Sequence, residues 1–181
     1  MKNNSDGSKN TFQIGRRQFM KICGLGGGAS LLSLALPREK AHAAADIEAL
    51  LLSCMDYRLL DEIERFMSFE ELRDKYDHFI LAGASLGAVT DKYPAWNQTF
   101  WAHVDLAIQL HKINKVMVLD HRDCGAYRLI LGEDFVKDRA KETAIHTKTL
   151  KELRRQINEK YPEMEVELLL MDLDGKIETI A

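Results

Sequence analysis

The apolar pattern predicts an α/β fold: a mostly parallel four-stranded sheet with flanking helices and a C-terminal antiparallel edge strand. Three observations carry this expectation. Runs of strand length occur at Ile47–Ser53, Asp77–Ala82, Lys115–Asp120 and Glu165–Leu173. Stretches of helical spacing separate them, and that alternation favours parallel strands joined by crossover helices. An Asp174-Gly175 dipeptide then signals a hairpin, so Lys176–Ile180 adds the antiparallel edge.

Each element has a local reason. Ile47–Ser53 (IEALLLS) is nearly continuous in apolar residues, as a strand buried on both faces requires. Arg58–Phe66 places Leu59, Leu60, Ile63 and Phe66 at helical spacing. Asp77–Ala82 runs into a turn region at Gly83–Gly87. Pro94 opens a helix reaching His111, since the first helical turn needs no proline N–H. Phe100, Val104, Ala107 and His111 fall on one face of it. Trp96, Phe100 and Trp101 read as core or subunit interface. Gly125–Leu131 is a short helix or turn. Asp138–Lys160 is a long helix with Ala140, Ala144, Thr147, Leu150 or Lys151, Leu153 and Ile157 recurring near every 3.6 residues, stopped by Pro162. Its Lys148–Arg155 charges read as a solvated face.

The first 43 residues read as an export signal rather than as fold. Gly15-Arg16-Arg17-Gln18-Phe19-Met20-Lys21 precedes an apolar, glycine-rich run from Ile22 to Leu36, and Ala41-His42-Ala43 supplies the small residues of a cleavage site. The arginine pair before a weakly apolar core resembles a twin-arginine signal, which implies the export machinery as a partner and a periplasmic location. The apolar run is short for a membrane span, which needs about 20 residues. Residues 44–181 then form one domain. The whole chain has 25 Lys+Arg against 28 Asp+Glu; segment 1–43 takes seven basic and two acidic residues with it, leaving a formal charge of −8. No basic footprint for nucleic acid remains.

Cys23 leaves with the signal, so Cys54 and Cys124 are the cysteines of the domain. Two cysteines in an oxidising compartment ordinarily suggest a disulfide. Their settings suggest a metal instead. Cys54 closes the first strand, and His121-Arg122-Asp123-Cys124 follows the third, where a tight turn can aim both of its donors at one ion. Ligands in parallel sheets sit beyond the carboxyl ends of strands. Two thiolates and an imidazole suit zinc, with one position open. Taken singly, Cys54 reads as a buried structural cysteine and His121 as a core histidine. His78, His103, His111 and His146 titrate near neutrality and could relay protons, although each alone reads as a satisfied or exposed histidine.

Cys54-Met55-Asp56-Tyr57-Arg58 matches C-x-D-x-R, and His121-Arg122-Asp123-Cys124-Gly125-Ala126 matches H-x-x-C-G-A. These two motifs, at this separation, resemble the β-class carbonic anhydrases over about Ile47–Leu131. The resemblance implies Zn2+ on Cys54, His121 and Cys124, and reversible hydration of carbon dioxide to bicarbonate by a hydroxide held on that zinc. It also implies that Asp56 orients the hydroxide or swings in as a fourth ligand. Arg58 would hold Asp56 ionised and off the metal, and the protein would be a homodimer or higher oligomer. Hydrolases of carbonyl sulfide or carbon disulfide, and silent zinc-binding relatives, look alike. Three features depart from the family pattern: Leu81-Ala82-Gly83-Ala84-Ser85 where an Arg-Asn-Ala-Gly-Asn-like segment is usual, Tyr57 before Arg58, and no amino-terminal arm.

Overall fold

The computed structural model describes residues 47–181. Segment 1–43, read above as an export signal, with Cys23 and Ala41-His42-Ala43, lies outside the described residues. Strands β1 (Ala49–Ser53), β2 (Tyr76–Ile80), β3 (Lys115–His121), β4 (Glu165–Met171) and β5 (Ile177–Thr179) form one sheet. Its order is β2-β1-β3-β4-β5, with the first four parallel and β5 antiparallel to β4. The helices are α1 (Leu60–Phe69), α2 (Ser85–Val89), α3 (Pro94–His111), α4 (Gly125–Leu131) and α5 (Arg139–Lys160), and a 3-10 turn at Tyr57–Leu59 leads into α1. Among the described residues no helix is long and apolar enough to cross a membrane.

Strand alternation divides the core in two. Leu50, Leu52, Val116, Val118, Leu168 and Leu170 face Phe100 and Val104 of α3 and Leu150, Leu153 and Ile157 of α5. On the other face Ala49, Leu51, Met117, Leu119, Leu169 and Met171 pack against Leu59, Ile63 and Met67. Every residue of β1 is buried, which explains its unbroken apolar run. Each fully buried leucine or methionine contributes about 1.5–3 kcal/mol, so both layers hold the sheet. After β1 the chain goes out to β2 on one side and returns to β3 on the other. The carboxyl ends of β1 and β3 therefore border the switch point of the sheet, where doubly wound folds bind ligands.

Two regions differ from the sequence expectation. Gly83–Gly87 is not merely a turn, because the buried helix α2 begins at Ser85. Its small residues let it press close: a Cβ on Gly87 would lie 2.4 Å from the Ala82 carbonyl oxygen. In α5, Ala140 and Ala144 are exposed. The buried face carries Glu142, His146, Thr149, Leu150, Leu153 and Ile157. Polar partners beneath the amino-terminal half of α5 make that face polar. Asp138 caps the helix, accepting from Ala140 N and Lys141 N at 2.9 and 3.1 Å.

Candidate metal centre

Cys54 is the first residue after β1, and His121 is the last residue of β3. Cys124 sits at the N-cap of α4 and accepts from Arg128 N through its carbonyl at 3.1 Å. The intervening turn puts Asp123 in the left-handed region at φ 56°. All three side chains are buried, and their donor atoms lie within 4.8 Å of one another. The two sulfurs are 3.8 Å apart, and both cysteines are free thiols. Gly83 N donates to Cys54 Sγ at 3.3 Å.

The tautomer of His121 follows from its surroundings. Nδ1 lies 2.8 Å from the Arg122 carbonyl oxygen, which can only accept, so Nδ1 carries the proton. That leaves a lone pair on Nε2, which is buried and has no hydrogen-bond partner. An orphaned imidazole nitrogen beside two sulfurs is a donor set suited to a soft tetrahedral ion, with the Nδ1 bond fixing the ring. The Cys124 thiol hydrogen bond lowers Cys54 to about 4 against the opposing effect of burial, with His121, when its ring is protonated, and the Gly83 amide adding to it. The thiolate character of Cys54, together with burial, pushes Cys124 up.

Asp56 and Arg58 flank this cluster. Arg58 forks onto Asp56, with Nε to Oδ1 at 2.9 Å and Nη2 to Oδ2 at 2.7 Å. Nη1 reaches Asp123 Oδ2 at 2.9 Å and Nη2 reaches the Asp123 carbonyl at 3.1 Å, so the arginine ties the first motif to the turn of the second. The guanidinium lowers the Asp56 carboxyl to about 2, burial opposing. Asp56 Oδ2 lies 3.8 Å from His121 Nε2 and outside the compact donor set. A cavity of about 410 Å³ opens over Cys54, Asp56, Arg58, Ala82 and Ala126. Met55 and Tyr57, 65% and 81% exposed, stand at its mouth. A larger groove of about 530 Å³ between α1 and β4–β5 contains none of the cluster's donors.

The family described as "Putative carbonic anhydrase" matches residues 44–181. The chain belongs to this family. Uncharacterized proteins of Rickettsia conorii and Rickettsia bellii are each 37% identical to it over 150 residues. These alignments cover 83% of this chain and 81% and 92% of the relatives. Among solved structures, the wild-type β-carbonic anhydrase CafD of Aspergillus fumigatus superposes with a TM-score of 0.54 at 14% identity, covering 84% of this chain and 97% of that one. The carbonic anhydrase from Glaciozyma antarctica gives a TM-score of 0.50 at 16% identity, covering 93% and 96%. These likenesses show that the chain has the β-carbonic anhydrase fold.

Within that fold, the cluster is surrounded by polar residues that the motifs do not mark. Asp120, fully buried, accepts from Ser85, Tyr127 and His146. Arg122, with 7% of its side chain exposed, faces Glu142, Asp172 and Glu178 at 3.4, 2.8 and 2.9 Å. Glu142 also accepts from Asp123 N at 2.7 Å. A signal for two of these was present: stepping back from Ile157 and Leu153 by three or four residues lands on Thr149, His146 and Glu142. His146 is fully buried against Asp120 and is no solvent relay. His111 pairs with Asp77 at 2.7 Å, His103 bonds Thr99 O at 2.8 Å, and His78 bonds Ser53 Oγ at 2.7 Å. Phe100 is core, while Trp101 is only partly buried against it.

Proposed function

We infer that this chain hydrates carbon dioxide reversibly to bicarbonate, with zinc held by Cys54, His121 and Cys124. The observation that carries the reading is the unpartnered His121 Nε2 beside the two sulfurs, at the sheet's switch point and beneath a solvent-open cavity. Zinc, when bound, supplies Lewis acidity that makes water nucleophilic near neutral pH. The chain's own residues supply the rest. Asp56 stays ionised because Arg58 occupies both of its oxygens along one edge. Its remaining acceptor capacity serves to take a hydrogen bond from the attacking water and aim the lone pair at carbon. Arg58, anchored on Asp123, keeps the carboxylate from turning toward His121. The small side chains of Ala82 and Ala126 leave room for an apolar triatomic substrate.

Stopped-flow carbon dioxide hydration by zinc-loaded protein, with zinc content measured on the same sample, tests this. Asp56→Asn and Arg58→Ala are expected to lower kcat by about 10²–10⁴-fold while zinc stays bound. A wild-type rate no higher than that of free zinc would overturn the reading. Turnover of carbonyl sulfide or carbon disulfide alone would reassign the substrate.

The paired Arg16-Arg17 and the apolar run after them support export to the periplasm. The uncovered edge of β2, with Ile80 46% exposed, and Leu106 and Leu110 on α3, 48% and 62% exposed, support a homodimer. Cell fractionation with Arg16→Lys and Arg17→Lys, and sedimentation of the purified domain, check these two points. Cytoplasmic retention of the mutant and a dimeric mass are expected.

A further inference from the structure

The segment where the sequence departs from the family pattern is tied to a buried carboxylate. Asp120, one residue before His121, has a side chain with no exposed surface. Its Oδ1 accepts from Ser85 N at 3.0 Å. Its Oδ2 accepts from Ser85 Oγ at 2.6 Å, Tyr127 OH at 2.6 Å and His146 Nδ1 at 2.8 Å. Burying a carboxylate costs several kcal/mol unless its acceptors are filled. Four donors fill them here and make a rigid anchor.

Two of those donors belong to Ser85, at the end of a strained turn. Ala84 has φ 38° and ψ −104°, and Gly83 has φ 74°. A residue with a Cβ held outside the allowed regions costs about 1–3 kcal/mol, so something must retain it. Gly83 also lies flush on α4, where a Cβ would come 3.2 Å from Ala126 Cβ. The product of this bent geometry is one contact toward the cluster: Gly83 N to Cys54 Sγ at 3.3 Å. Asp120 therefore touches the neighbourhood of all three donors: His121 by sequence, Cys54 through Ser85 and Gly83, and the helix after Cys124 through Tyr127.

The geometry points to Asp120 and Ser85 as positioning residues that clamp the Gly83–Ser85 turn, keep the Gly83 N–H on the Cys54 sulfur, and so set the donor strength of that sulfur toward a bound metal. This rests on the zinc reading above. A hydrogen bond to a ligating sulfur withdraws electron density, and residues behind the ligands commonly change metal affinity by about 10–100-fold. Packing alone does not require a carboxylate at 120, since an apolar side chain would fill the space without the burial cost.

The test uses the domain loaded with zinc or with cobalt(II), whose sulfur-to-metal charge-transfer band reports sulfur donor strength. Ser85→Ala removes a clamp donor. It is expected to move the band to lower energy, because the sulfur becomes easier to oxidise, and to change zinc affinity by about 10-fold or more. Tyr127→Phe removes a donor to the same Asp120 oxygen and the 2.9 Å contact with Ser85 Oγ but leaves both Ser85 donors on Asp120, and is expected to lower stability and to shift the band less than Ser85→Ala does. Asp120→Asn is the second route if Ser85→Ala does not fold, and should shift the band the same way. An unshifted band and unchanged zinc affinity in folded Ser85→Ala or Asp120→Asn overturns the clamp. So does an equal shift in Tyr127→Phe. Failure of the unaltered chain to bind either ion overturns the zinc reading itself.

Discussion

Asp172 shows how one residue's charge reaches the turn between His121 and Cys124. It follows β4, pairs with Arg139 at 2.9 Å and faces Arg122 at 2.8 Å. Arg139 holds its carboxyl below the ordinary value, burial opposing, with Arg122 adding to the effect. The folded pKa is depressed, so the stability it contributes is present above the unfolded pKa, about 3.9, and disappears as pH falls through the folded value. Asp172→Asn is expected to destabilise the domain at pH 7, with the deficit shrinking below about pH 4. Urea unfolding of both chains from pH 7 to 3 measures this, and a deficit independent of pH would show that the charge is not what matters. Arg58 works differently, because its value lies in geometry. It satisfies Asp56 and Asp123 together, so a lysine there would keep the charge and lose the fork.

At the scale of elements, α2 is the piece least expected from sequence and most confined in structure. Gly87→Ala would drive a methyl into the Ala82 carbonyl at 2.4 Å and the Leu81 side chain at 2.9 Å. Overpacking of this kind costs about 1–3 kcal/mol, and thermal unfolding should show the loss. The helix was hard to read because Ser85-Leu86-Gly87-Ala88-Val89 is small, short and glycine-bearing, a composition that local propensity assigns to a turn. Burial against the strands decided otherwise. Longer elements were legible because their physics is periodic. The helix from Pro94 to His111 has the predicted ends, and β1, the Val116–Leu119 part of β3 and the Leu168–Met171 part of β4 are apolar runs buried on both sides. The same rule misled in α5. Ala140 and Ala144 carry an apolar label, whereas burial there follows the partners, Arg122 and Asp120, which sit far away in sequence. The metal-centre motifs were readable as spacing. The polar residues around them were not, since a lone Asp, Ser or Glu carries no local signature of a long-range bond.

For the whole molecule, the binding of a metal and the survival of two thiols are one question. Cys54 and Cys124 are buried with sulfurs 3.8 Å apart, so a chain stripped of metal presents a pair that a two-electron oxidant can join. Two thiols would lose two protons and two electrons, and an oxidant such as diamide would be reduced to the hydrazine. Zinc-loaded protein is expected to keep both thiols under diamide, while chelator-stripped protein loses both and melts lower in the absence of metal. Thiol titration against zinc content checks this, and equal oxidation of the two samples would refute it. The carboxyl end is the last part drawn into the same assembly. Ile180 is buried in the main core and its N–H bonds the Leu168 carbonyl, while Glu178 reaches back to Arg122 at 2.9 Å. A stop codon at position 178 would spare every motif residue in the gene, yet be inherited as damage to the turn that carries His121 and Cys124.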